Sequence, residues 1–160
     1  MTQFKRILCP TDFSDASLKA FPYAIELARL FRAEIFFIYV VPIITPSSPE
    51  FDFVSLAATL SEDAAQQLDT LLNKQIPKDI RTRRIVAQGH AAEEILRAAD
   101  KHGIDLITMA THGLTGWSHM IFGSVAEKVV RMAKVPVMTV GGKVRAGEPQ
   151  EKIVEQLCSH

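Results

Sequence analysis

Short β-branched and aromatic runs alternate along this chain with longer segments whose apolar residues recur every three or four positions. The first run, Phe4–Cys9, predicts a strand that Pro10 ends. Ser14 or Asp15 can cap a helix reaching about Phe31, with Leu18, Phe21, Ile25, Leu27 and Leu30 as its apolar positions. Pro22 lies inside that pattern. Lacking an N–H, it predicts a bend or a split-off first turn. Glu34–Val41 reads as a strand buried on both faces.

Three prolines and two serines make Pro42–Pro49 a loop. A helix over Phe53–Gln75 follows, with Leu56, Leu60, Ala64, Leu68, Leu71 and Leu72 on one side. Ile80–Gln88 alternates arginine with other residues, which suits a half-exposed strand near a sheet edge, and Gly89 ends it. Ala92–His102 predicts a third helix stopped by Gly103. Ile104–Met109 predicts a fourth strand, Ser124–Ala133 a helix and Val135–Val140 a fifth strand. Gln150–Cys158 could form one short helix.

Strands alternating with helices imply βαβ units and an α/β fold: an open five-stranded parallel sheet flanked by helices in three layers. The second and fourth strands, the most apolar, belong inside the sheet. One domain is expected over residues 1–142, with a tail over 143–160.

The 18 basic and 18 acidic residues balance to a net charge of zero, which argues against nucleic acid as the main partner. The basic cluster Arg81-Thr82-Arg83-Arg84 alternates as a solvated strand edge would. No apolar run reaches the ~20 residues that span a bilayer. No signal peptide is evident at the N-terminus, and Cys9 and Cys158 stand far apart, so a reducing cytoplasm is the expected location.

In a parallel sheet the carboxyl ends of the strands share one rim, where ligands bind. Those ends carry Pro10-Thr11-Asp12, Val40-Val41, Gly89 and Ala110-Thr111-His112-Gly113. Nine residues after Gly113, Gly123-Ser124 opens a helix. A strand, a small-residue turn and a helix N-terminus are the parts of an anion site, because the first amides of a helix lack partners within it. Asp12 and Gly123-Ser124 also read as helix caps. No Walker A loop, early Gly-x-Gly-x-x-Gly turn or Gly-x-Ser-x-Gly elbow is present. His112 and His119 have no third ligand nearby, and Cys9 reads as core.

These motifs resemble the universal stress proteins, whose nucleotide-binding members carry Gly-x-x-Gly, nine residues, then Gly-Ser/Thr. The resemblance rests on Pro10-Thr11-Asp12-Phe13-Ser14, Val40-Val41, the step from Gly89 to Ile95, and Gly123-Ser124-Val125-Ala126-Glu127-Lys128-Val129-Val130-Arg131. It covers about Phe4 to Gly141 and implies a Rossmann-like fold of the adenine nucleotide alpha hydrolase-like kind.

The resemblance implies ATP, or AMP or ADP, bound with Mg²⁺. Pro10, Thr11 and Asp12 would lie beside the ribose and adenine, with Asp12 also able to hold magnesium through water. Val40, Met109 and Ala110 would border the adenine or ribose, and Gly89 belongs to the same expected site. Gly113, Gly123, Ser124 and Val125 would donate to the phosphates, with His112 in the turn beside them. The segment Leu114–Phe122 would order over the phosphates. Ala110 departs from the motif by replacing its first glycine. A left-handed backbone there would cost alanine about 1 kcal/mol, whereas close approach alone could tolerate one methyl group. The family also implies a homodimer paired through Val135–Val140, and at most slow ATP hydrolysis. The alternative is a dimeric interaction module that binds no nucleotide.

Overall fold

The computed structural model describes residues 3–43, 53–111 and 123–141. Five parallel strands form one sheet: β1 (Arg6–Pro10), β2 (Glu34–Val41), β3 (Thr82–Gln88), β4 (Leu106–Ala110) and β5 (Val137–Val140), in the order β3-β2-β1-β4-β5. The connections hold α1 (Asp15–Leu18), α2 (Phe21–Phe31), α3 (Phe53–Gln75), α4 (Ala91–His102) and α5 (Ser124–Met132). His112, Gly113, the segment 114–122 and the tail 143–160 with its expected helix lie outside the described residues.

Side-chain alternation along the inner strands divides the core into two layers. Ile7, Cys9, Ile35 and Phe37 pack with Ala24, Ala28, Leu68 and Leu72 of α2 and α3. Leu8, Phe36, Ile38, Ile107 and Met109 pack with Ile95, Ala99, Ala126 and Val129 of α4 and α5. Burying a side chain such as Phe37 or Ile38 contributes roughly 1.5–3 kcal/mol. Cys9 is fully buried and its thiol pKa is pushed far up by that burial, as suits a core residue.

The first helical pattern is split. Ser14 caps α1, its hydroxyl accepting from the Ser17 N–H at 3.1 Å, and the chain restarts as α2 with Pro22 in the first turn, where a missing N–H costs nothing. Gly103 ends α4 in a left-handed conformation with φ 57°.

Four strands, β1, β3, β4 and β5, begin two residues later than the apolar pattern suggests. The Ile104 N–H returns to the Ala99 carbonyl, so β4 starts at Leu106. Pro136 has no N–H to give; its carbonyl accepts from Ile107, and β5 starts at Val137. The Asp105 carboxylate accepts from the Lys5 and Arg6 amides at 2.8 and 2.9 Å, beside the start of β1.

Both β2 and β4 are interior, but the centre is β1, whose Ile7, Leu8 and Cys9 are wholly buried. The edge strand β3 carries its arginines in salt bridges: Arg83 with Glu34 at 2.9 Å and Arg84 with Asp69 at 2.8 Å. The basic cluster is thus a solvated edge held by acidic neighbours.

Candidate functional site

Strand order reverses between β1 and β4, and a cleft of about 400 Å³ opens there beyond the carboxyl ends. Pro10, Thr11 and Asp12 enter from β1, and Ile38, Tyr39, Val40 and Pro42 from β2. Met109, Ala110 and Thr111 come from β4, and Ala91 and Ile95 from α4. Gly123, Ser124, Val125 and Ala126 close the far side at the start of α5, and Ser17 of α1 lies behind Asp12. The volume falls within the ~300–1,000 Å³ of small-molecule sites.

The sides of the cleft differ chemically. Ile38, Val40, Ile95 and Met109 supply an apolar wall. Elsewhere in the lining, Gly123 precedes α5 with no side chain to cap it, and among the described residues no side chain caps that helix. The first amides of a helix have no partner within it, and the helix dipole favours an anion there. Two backbone bonds fix this end: Thr111 N–H to the Val140 carbonyl at 2.9 Å, and Gly123 N–H to the Thr111 carbonyl at 2.7 Å. α4 also begins at the cleft, and Lys128 of α5 bonds Glu93 of its first turn at 2.8 Å. That contact holds the Glu93 carboxyl below the usual glutamate range.

The turn after β1 is built by hydroxyls. Asp12 Oδ1 accepts from the Ser14 amide at 3.1 Å and from the Ser14 hydroxyl. Phe13 stands at φ 64°, a conformation that costs a non-glycine residue about 1–2 kcal/mol. Its amide donates to Thr11 Oγ1 at 3.1 Å, and its ring stacks on Tyr39 with centroids 4.5 Å apart.

Of the residues singled out from sequence, Pro10, Thr11, Asp12, Val40, Met109, Ala110, Gly123, Ser124 and Val125 all line this cleft. Gly89 is not among the lining residues. It forms the β3–α4 turn, its amide bonded to the Val41 carbonyl at 3.0 Å, and an added Cβ would come within 2.9 Å of Glu94 Cγ. His112 and Gly113 lie outside the described residues. Ala110 pairs with Val140 in the ladder and has no positive φ, so alanine there carries no backbone strain. Thr111, placed on the rim by sequence without a role, lines the cleft too, whereas sequence reasoning missed Ser17, Ile38, Tyr39, Pro42, Ala91, Ile95 and Ala126 as lining residues. Ser17 could have been found from its place one helical turn after the capping Ser14.

The sequence model of the Universal stress protein family matches residues 3–141. The chain belongs to the universal stress protein family. A universal stress protein of Methanocaldococcus jannaschii is 35% identical over 141 residues, covering 86% of this chain and 82% of that one. Universal stress protein YxiE of Bacillus subtilis is 30% identical over 146 residues, covering 86% and 99%. The structure of universal stress protein UspA from Lactobacillus plantarum superposes with a TM-score of 0.72 at 25% identity, covering 88% and 99%. Two more distant structures share the fold at 20% identity. One is a universal stress protein in complex with cAMP (TM-score 0.58, covering 89% and 100%), the other that of Archaeoglobus fulgidus in complex with dAMP (0.54, covering 87% and 98%). Among the described residues no helix is long and apolar enough to cross a membrane.

Proposed function

We propose that this universal stress protein binds an adenine nucleotide, ATP or its products ADP and AMP, and acts as a nucleotide-dependent sensor in a stress response. The observation that carries this reading is the juxtaposition, in one cleft, of an apolar wall with a helix N-terminus that no described side chain caps. The α5 amides and the Ser124 hydroxyl suit phosphates, and Ile38, Val40, Ile95 and Met109 suit a flat base. The complexes of related proteins with cAMP and dAMP support an adenine ligand. In this reading Pro10, Thr11 and Asp12 lie beside the ribose and base.

Asp12 is the one carboxylate among the described lining residues, joined by the hydroxyls of Thr111 and Ser124. That set suits Mg²⁺ held chiefly by phosphate oxygens and water, with Asp12 as the protein's contribution. The ion would neutralise phosphate charge.

β5 lies at the sheet edge, with Val137, Met138 and Thr139 only partly buried, and Val130 and Met132 of the adjoining α5 are exposed. An edge that pairs with no further strand among the described residues favours pairing with a second copy. We therefore include a two-fold dimer in the proposal, to be read from the mass in solution.

The test is mass spectrometry of whatever denaturation releases from the purified protein. ATP, ADP or AMP at near-stoichiometric amounts supports the reading. A protein free of nucleotide that also takes up none from millimolar Mg–ATP would favour the interaction-module alternative, for which the Ala110 methyl in the cleft is the supporting feature.

A further inference from the structure

Ser17 is 6% exposed and its hydroxyl sits at the centre of the β1–α1 turn. Its one hydrogen goes to the Ser14 carbonyl at 2.9 Å. With that hydrogen committed, Ser17 Oγ can only accept from Thr11 Oγ1 at 3.0 Å, and it also accepts the Asp12 amide at 3.3 Å. Thr11 Oγ1 in turn accepts the Phe13 amide, and the Ser17 amide donates to Ser14 Oγ, whose own hydrogen goes to the Asp12 carboxylate. The Ser17 hydroxyl therefore fixes the Asp12 backbone directly, while the Ser17 amide holds the Ser14 hydroxyl that donates to the Asp12 carboxylate. Through Thr11 the Ser17 hydroxyl steadies the left-handed Phe13 that stacks on the cleft residue Tyr39.

We infer that Ser17 is a positioning residue for nucleotide binding, acting through Asp12 and the turn that carries it; this rests on the reading that Asp12 meets the nucleotide. A buried hydroxyl serving only helix α1 would not need to reach both the amide of Asp12 and the hydroxyl of Thr11. Removing it leaves the buried Thr11 hydroxyl and the half-buried Asp12 amide without their acceptor, and the strained turn then has a cheaper conformation open to it.

The test is a double-mutant cycle with Ser17→Ala and Asp12→Ala, read by calorimetric titration with AMP and Mg–ATP below the melting transition of each variant. Ser17→Ala is expected to weaken binding about tenfold when Asp12 is present and less than about twofold when it is absent. Equal losses in both backgrounds would overturn the inference while leaving nucleotide binding intact. Absence of binding in the unmodified protein would instead defeat the nucleotide reading. A crystal structure of Ser17→Ala then decides the positioning role. The inference expects the Asp12 backbone to shift and Phe13 to leave positive φ, and an unchanged turn overturns it. Ser17→Cys, of similar size, replaces alanine in both experiments if the alanine variant does not fold.

Discussion

The hydroxyl of Thr111 lies where a Cβ on Gly141 would fall, 2.8 Å away, so the residue after β5 is held to glycine by the residue after β4. Thr111 lines the cleft, and its carbonyl receives the Gly123 amide that leads into α5. Packing at the sheet edge is thereby coupled to the start of the anion-facing helix. Gly141→Ala should push Thr111 toward the cleft. A destabilisation of about 1–2 kcal/mol is expected, seen as a lower melting temperature. Mg–ATP affinity should fall at least several-fold, whereas a variant matching the parent in both would show that Thr111 yields freely.

Ala110 occupies the cleft with unstrained strand backbone, so the consequence of its methyl group is one of space. Ala110→Gly should tighten AMP and ATP binding several-fold in calorimetric titration. It should also cost about 0.5–1 kcal/mol of stability through chain entropy. Looser binding would mean that the methyl group packs on the ligand.

Thr108 is wholly buried in β4, and its hydroxyl has no hydrogen-bond partner among the described residues. A buried hydroxyl without a partner costs roughly 1–3 kcal/mol. Thr108→Val should therefore raise the melting temperature by a few degrees in differential scanning calorimetry, without altering nucleotide affinity. A lower melting temperature would reveal a partner for the hydroxyl.

Lys128 ties α5 to the first turn of α4 by bonding Glu93, whose carboxyl it holds below the usual range. The folded pKa is lower than the unfolded one, so the contribution to stability is full above the unfolded value of about 4.3 and is lost as pH falls through the folded value. Both side chains are substantially exposed, so the effect is small. Lys128→Ala should raise the Glu93 titration midpoint, read by carboxyl carbon NMR, and reduce the stability difference between pH 7 and pH 3. An unmoved midpoint would show that the pair does not persist in solution.

Most of this fold was legible because its signals are local. The aromatic and β-branched run Glu34–Val41 and the helical period of Phe53–Gln75 match their elements end to end. Pro22 announced the break between α1 and α2. The centrality of β1 was harder to read, since its three wholly buried residues form a run too short to stand out beside β2. The retreat of β5 to Val137 follows from the missing amide of Pro136, a detail hydrophobicity does not carry.

At the site, residues that end strands or open helices were visible as punctuation. Gly89 shared that punctuation without facing the cleft, because its turn bends back toward Val41 and Glu94. Ser17 escaped notice, and Thr111 was placed at the rim without a role, because their roles depend on partners brought near by the fold: the Asp12 amide for one and Gly141 for the other.

The most direct test of the central claim is isothermal titration of the purified protein with Mg–ATP and AMP, beside Gly123→Val. Valine at φ −70° is unstrained, so the variant should fold while its side chain crowds the opening amides of α5. The account predicts parent affinity on the order of 1–100 μM and a loss of at least tenfold in the variant. No heat with millimolar Mg–ATP, or equal affinity in both proteins, would contradict it.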